Sequence, residues 1–239
     1  MSDISTRVRV QSPPTAGHFL SGLVDGDRFE AAGDQLVLLP VAMVPEVQLY
    51  LAQDAILFWA RLEAATKSRL AAPFWASAWA GGQAVARYIL DHPEVVRGKS
   101  VLDIGSGSGL AAIAAARAGA RSVVANDIDP LAGAAISLNA EANDVDVTSH
   151  VGDLLSGDGR EAEVVLVGDG FYNDEIAALV LPYLGRVRDA GGQVLVGDPG
   201  RGHLPEAELE LLATYQNPGI GTFGDAYIDK AQVFGLPRR

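Results

Sequence analysis

Residues 101–109 read VLDIGSGSG. The apolar run Val101–Ile104 has the character of a buried strand, and LAAIAAARAGA (110–120) beyond it has the composition of a helix. Between them stand three glycines at every second position, Gly105, Gly107 and Gly109. Strand, glycine loop and helix in that order form a nucleotide-binding turn, because glycines let a ligand approach the backbone at a helix N-terminus. The spacing decides which nucleotide. A dinucleotide fingerprint needs its third glycine or alanine at position 110, and here that position is Leu110. Asp103 also stands just before the loop, where a pyrophosphate would meet a carboxylate. An acid there suits a ligand with an ammonium, a sulfonium and no phosphate, which points to S-adenosylmethionine.

Outward from this loop the chain alternates strand and helix. SVVAND (122–127) reads as a second strand, and Pro130 opens a helix running through Asn143. VDVTSHV (145–151), VVLVG (164–168) and QVLVGD (193–198) read as further strands, with a helix from about Asp174. A helix is expected over Glu206–Thr214, and GTFGDAYIDKAQVFGL (221–236) is expected to supply two strands joined around Asp225. Upstream, APFWASAWAGGQAVARYILDHP (72–93) reads as an aromatic loop feeding a helix that ends before Pro93. Between Pro45 and Leu70 the apolar residues Leu49, Leu51, Ile56, Leu57, Trp59 and Leu62 suggest one or two packed helices. Residues 1–40 read as a loose arm with a short strand around Leu36–Leu39. The expectation is an α/β, Rossmann-like parallel sheet with helices on both faces, residues 73–239, preceded by an N-terminal arm and helical extension, residues 1–72.

Composition narrows the function. The 239 residues carry 18 Lys and Arg against 30 Asp and Glu, a formal net charge of −12, so a phosphate backbone is an unfavourable partner. There is no cysteine, which excludes disulfides and thiolate zinc sites, and the four histidines show no ligand spacing. No metal site is expected. The first residues, MSDISTRVRVQSPPTAG, lack the apolar core of a signal peptide, and no apolar run approaches the ~18 residues of a membrane span. A cytoplasmic protein that touches neither nucleic acid nor membrane is the expectation.

Acids recur at strand ends, where open α/β sheets bind ligands. Asp127 lies 22 residues beyond Gly105, where it can accept from ribose hydroxyls. Asp153 and Leu154 follow the third strand, in reach of an adenine amino group and ring. Asp169-Gly-Phe171-Tyr172 follows the fourth strand. There Asp169 could orient an amine or accept its proton, and the aromatic faces could steady a cationic nitrogen. Packing of both rings and capping of the next helix by Asp169 would explain the same residues. Trp75 and Trp79 fit a lid over a cofactor or an apolar core, and Asp198 in GDPGR fits a turn better than a second site acid.

Taken together, PFWASAWAGGQAVARYILDHPEVVRGKSVLDIGSGSG, ANDIDPLAGAAISLNAEAN, GDGFYNDE and VLVGDPGR resemble the electron transfer flavoprotein beta-subunit lysine methyltransferases. These are seven-strand, class I methyltransferases related to the ribosomal protein L11 methyltransferases, and the resemblance covers about Pro73 to Arg201. It implies that Gly105, Ser106, Gly107 and Gly109 contact the methionine half of S-adenosylmethionine. It further implies Asp127 at the ribose, Asp153 and Leu154 at the adenine, Trp79 closing over the cofactor, and Ile128 among the cofactor-binding residues. Asp169, Phe171 and Tyr172 match the Asp-x-Phe-Tyr motif lining the target lysine, and the beta subunit is the implied protein substrate. Three places depart from the pattern: Ala80 stands where proline is common, Asn173 where an acid is common, and the C-terminal aromatic ending is altered to VFGLP. These differences bear on the substrate more than on the reaction, and a small-molecule amine remains the alternative acceptor.

Overall fold

The computed structural model describes residues 35–216 and 228–237. The arm 1–34 and the first part of the expected C-terminal strand pair, 217–227, lie outside them.

The alternating segments form β3 (Ser100–Ile104), α3 (Leu110–Arg117), β4 (Ser122–Asp127), α4 (Pro130–Ala142), β5 (Thr148–Val151), β6 (Val164–Gly168), α5 (Asp174–Asp189) and β7 (Gln193–Asp198). Ahead of them, α2 (Ala80–Asp91) follows a short 3-10 turn at Phe74–Ala76. The sheet order is β5-β4-β3-β6-β7-β9-β8, where β8 is Glu210–Gln216 and β9 is Lys230–Gly235. The first five strands pair in parallel, whereas β9 runs antiparallel to both β7 and β8. A parallel sheet with one reversed strand inserted next to its last member is the seven-strand class I methyltransferase fold. One apolar core joins α2, α3 and Ile136 of α4 to one face of the sheet. A second packs Val180, Tyr183, Leu184 and Val187 of α5 against the other face.

Two helices expected upstream and downstream are strands. Val44–Ala52 forms β2, paired antiparallel with β1 (Leu36–Val41), and only Ala55–Thr66 is helical, as α1. Val47, Leu49 and Leu51 are buried at every second position, which is the period of a strand rather than a helix. Likewise Glu210–Gln216 pairs with β9, leaving only a 3-10 turn at Glu206–Glu208. Its Glu, Leu and Ala favour a helix locally, and the open edge of β9 overrides that preference. The hairpin is anchored by two amides, Asn139 in α4 and Asn143 capping its C-terminus. Asn143 exchanges hydrogen bonds with the backbone of Gln48 at 3.0 and 2.6 Å, and Asn139 Oδ1 accepts from Tyr50 N at 2.8 Å.

The order of strands reverses between β3 and β6, which leaves a crevice above their carboxyl ends. Helix α2 is pressed onto that crevice through glycines. A Cβ on Gly197 of β7 would run into the carbonyl oxygen of Gly81, and one on Gly168 of β6 would lie 2.6 Å from Cα of Gly82. Gly197→Ala should therefore destabilise the fold by about 1–3 kcal/mol through overpacking. Urea unfolding checks this, and an unchanged midpoint would mean that the approach of α2 to β7 is loose.

Candidate active site

The glycine loop lies where β3 delivers it. Gly105, Gly107 and Gly109 have φ of 62°, 54° and 85°, a region in which glycine carries no Cβ penalty. A Cβ built on Gly105 would meet nothing within 4 Å, so that position faces open space. The loop is tied down by Ser106 N donating to the Asn126 carbonyl at 2.9 Å and by Gly109 N donating to that of Ser106 at 2.9 Å. Asp103 lies beneath it, almost wholly buried, and its Oδ2 accepts from Ser106 Oγ at 2.5 Å and from Ala112 N at 3.2 Å. Asp103 thus braces the loop and the start of α3. Asn139 adds a third brace, its Nδ2 donating to the Ser108 carbonyl at 2.8 Å.

Asp127 ends β4 beside the loop and takes Gly107 N at 2.9 Å on one oxygen and Asp129 N at 3.0 Å on the other. A carboxylate has about four lone-pair sites, so both oxygens retain capacity for a pair of hydroxyls. Asp129 caps α4 by accepting from Leu131 N at 2.8 Å. Next to Asp127, Ile128 is 75% exposed and Val151 at the end of β5 is 47% exposed. Two solvated aliphatic side chains at strand ends offer an apolar face for an aromatic base. Leu154 packs against the second core, and exposed Asp153 forms a local turn by accepting from Leu155 N at 2.8 Å. Buried Asn126 holds this rim together, its Nδ2 donating to the carbonyls of His150 and Gly152 at 3.1 and 2.8 Å. The loop with open space at Gly105, the acid Asp127 and this apolar rim fit the chemistry of S-adenosylmethionine.

Across the crevice, Asp169 follows β6 with φ of 54°, a left-handed conformation that aspartate tolerates better than most residues. Its Oδ2 accepts from the backbone N–H groups of Gly81 and Gly82, at 2.5 and 3.1 Å. These are orphan donors of the first turn of α2, where the helix dipole favours an anion. Its Oδ1 is paired with Arg201, at 2.9 Å from Nη2 and 3.3 Å from Nε. Both oxygens of Asp169 are therefore engaged, which suits an orienting role better than proton uptake. The aromatic pair divides. Phe171 is fully buried in the apolar cluster with Val167, Tyr183 and Leu184, so it supports the loop from inside. Tyr172 is half exposed, and burial together with the nearby charge of Asp127 raises its hydroxyl pKa. Trp79 precedes α2, with Nε1 donating to the Phe74 carbonyl at 2.8 Å, while Trp75 is buried against Phe58 of α1.

Asn173, the departure noted in the sequence, caps α5 by accepting from Ile176 N at 2.8 Å, which an aspartate could do equally. Asp198 forms the turn, accepting from Gly200 N at 2.6 Å. Arg201, Asn126, Asn139 and the Gly81–Gly197 contact were not singled out from sequence. Arg201 alone left a signal there, an arginine directly after a turn at a strand's carboxyl end.

Burial pushes the Asp103 carboxyl up to about 7, against the opposing pull of its Ser106 and Ala112 hydrogen bonds. In the unfolded chain an aspartate ionises near ~3.9, so between there and about 7 the folded state holds a proton that the unfolded state has released. Stability from this group is complete at the acidic end of the interval and is lost as pH rises to about 7. The melting temperature of Asp103→Asn minus that of the wild type should therefore climb between about pH 4 and pH 7. Differential scanning fluorimetry measures it, and a flat difference would contradict the buried, protonated carboxyl.

Comparison with known proteins places this geometry. The family model for ribosomal protein L11 methyltransferase matches residues 87–168. The electron transfer flavoprotein beta subunit lysine methyltransferase of Rattus norvegicus is 41% identical over 186 residues, 74% of this chain and 71% of that protein. The Xenopus laevis protein of the same name is 42% identical over 184 residues, 72% of each. Among solved structures, ribosomal protein L11 methylase from Lactobacillus delbrueckii subsp. bulgaricus superposes with a TM-score of 0.46 at 21% identity, covering 65% of this chain and 78% of that one. With 41% identity sustained over most of both chains, this methyltransferase belongs to the electron transfer flavoprotein beta subunit lysine methyltransferase family.

Proposed function

We propose that the chain methylates lysine side chains on the beta subunit of electron transfer flavoprotein, using S-adenosylmethionine, in the cytoplasm. The observation that carries this reading is the meeting of two arrangements in one crevice. The glycine loop and Asp127 form its cofactor side, and Asp169, Tyr172 and Trp79 form the other. Strands β3 and β6 pair side by side, with Ile104 opposite Val167, so the glycine loop and the Asp169 loop leave the sheet as neighbours. The relatives' names supply the acceptor.

S-adenosylmethionine supplies an electrophilic methyl group on a sulfonium. The protein's task is then to hold an amine in line behind that methyl, since displacement needs aligned reactants more than it needs an acid or base. Gly105, Ser106, Gly107 and Gly109 would receive the methionine half, Asp127 the ribose, and Ile128, Asp153 and Leu154 the adenine. Trp79 would close the crevice, with Asp103 bracing the loop from below. On the acceptor side, Tyr172 would line the amine's path while Asp169 and Phe171 hold its loop. The rim there is open, with Tyr172 half exposed and Asp174 and Glu175 on the surface, as a lysine on a folded protein requires.

The test is intact-mass and peptide mass spectrometry of electron transfer flavoprotein after incubation with the enzyme and S-adenosylmethionine. The expected result is methyl increments on beta-subunit lysines. Methylation of free amines with the beta subunit untouched would replace this acceptor by a small molecule. The cofactor side is tested separately by Gly105→Asn, since asparagine tolerates the left-handed backbone but fills the open space. Calorimetry should show S-adenosylhomocysteine binding at least about tenfold weaker, ~1.4 kcal/mol, with little change in melting temperature. Unchanged affinity would remove Gly105 from the cofactor site.

A further inference from the structure

Arg201 joins parts of the crevice that are far apart in sequence. Its guanidinium pairs with Asp169 Oδ1 at 2.9 Å on one side, and its Cζ lies 5.6 Å from the centre of the Trp79 ring on the other. Both partners are themselves fixed, Asp169 by the first turn of α2 and Trp79 by the Phe74 carbonyl. The arginine side chain is 22% exposed and the aspartate 9%. Gly200 and Gly202, at φ of 87° and 88°, flank Arg201 in the loop after β7.

The ionisable groups around this pair can be named element by element. Residues 73–83, the aromatic segment and first turn of α2, carry none. The segment after β6 brings Asp169, Tyr172, Asp174 and Glu175, and Asp174 pairs with His203 at 2.7 Å. The loop after β7 brings Asp198, Arg201, His203 and Glu206, and Asp127 ends β4 on the cofactor side. Asp169 and Arg201 thus form a neutral pair set among polar groups of both signs.

We propose that Arg201 is a positioning residue for methyl transfer: it neutralises Asp169 and seats Trp79, so that the entering lysine meets no unpaired carboxylate. The inference rests on the lysine acceptor proposed above. In the reaction the amine nitrogen bonds to the methyl carbon, the carbon–sulfur bond breaks with its electrons going to sulfur, and the new ammonium gives its proton to solvent. The nitrogen must begin as a free base, although lysine holds its proton to about 10.4 in water. An unpaired carboxylate beside it would stabilise the ammonium and block attack. Arg201 removes that trap and keeps the orienting contacts of Asp169 intact.

The test is kcat and KM for the flavoprotein as a function of pH in the wild type, Arg201→Gln and Arg201→Lys. Cofactor affinity and melting temperature are measured alongside to establish folding. In Arg201→Gln the acidic limb of kcat should move up by about one unit, a roughly tenfold loss near neutrality that shrinks above about pH 9, while KM stays within about twofold. Arg201→Lys should return the limb towards its wild-type position, because it restores the charge. A loss of equal size at every pH, or a lysine variant indistinguishable from glutamine, would overturn the proposal. Absence of wild-type activity on the flavoprotein would instead overturn the acceptor reading.

Discussion

The carboxylate of Asp169 is the point on which the crevice depends. One of its oxygens ends the first turn of α2 and the other holds Arg201, so three chain segments converge on a single side chain. Such an arrangement requires the N-terminus of α2 to come very close to the sheet, and Gly81, Gly168 and Gly197 permit that approach. The left-handed backbone at Asp169 costs something of order 1 kcal/mol, and charge-assisted hydrogen bonds of this kind offset it. Helix α2 then carries Trp79 at its start, and the segment after β6 carries Tyr172 away from the core that holds Phe171. This side of the crevice is therefore built by packing, with both oxygens of Asp169 already engaged.

The glycine-loop side of the crevice is braced in a parallel way by amides. Asn139 links the hairpin strand β2 to the glycine loop through Tyr50 and Ser108, and Asn126 ties the ends of β4 and β5. Gln83 of α2 accepts from Met43 N at 3.1 Å and donates to the Ala78 carbonyl at 2.7 Å. Buried amides that satisfy backbone groups on both sides fix separation and orientation at once, since leaving either side unmet costs about 1–3 kcal/mol. The β1–β2 hairpin thereby shares a core with the sheet domain and is coupled to the loop it lies beside.

How much of this was legible in the sequence depends on how local the cause is. The strands around the glycine loop were readable because continuous apolar runs bounded by Gly and Asp leave little alternative. SVVAND, VVLVG and QVLVGD are strands over the residues expected. Two segments misled for one reason: VPEVQLYLA and ELLATYQ have residues acceptable to either structure, and a partner strand distant in sequence decided between them. Asp127 and the three glycines stand where the spacing put them. By contrast, the contacts of Asp169 with Gly81 and Arg201 span 88 and 32 residues, and nothing in a one-dimensional pattern marks such a pair. Phe171 and Tyr172 look alike in sequence, and only the path of the chain after β6 sends one inward and the other out.

The claim that Asp169 and Arg201 act as one unit is tested most directly by a double-mutant cycle on single-turnover methyl transfer. The rates compared are those of Asp169→Asn, Arg201→Gln and the double variant. If the pair works as a unit, the double variant should match Asp169→Asn within about twofold, even where Arg201→Gln alone is slower, because without the carboxylate Arg201 has no charge left to neutralise. Losses that multiply would show two independent contributions and contradict the account.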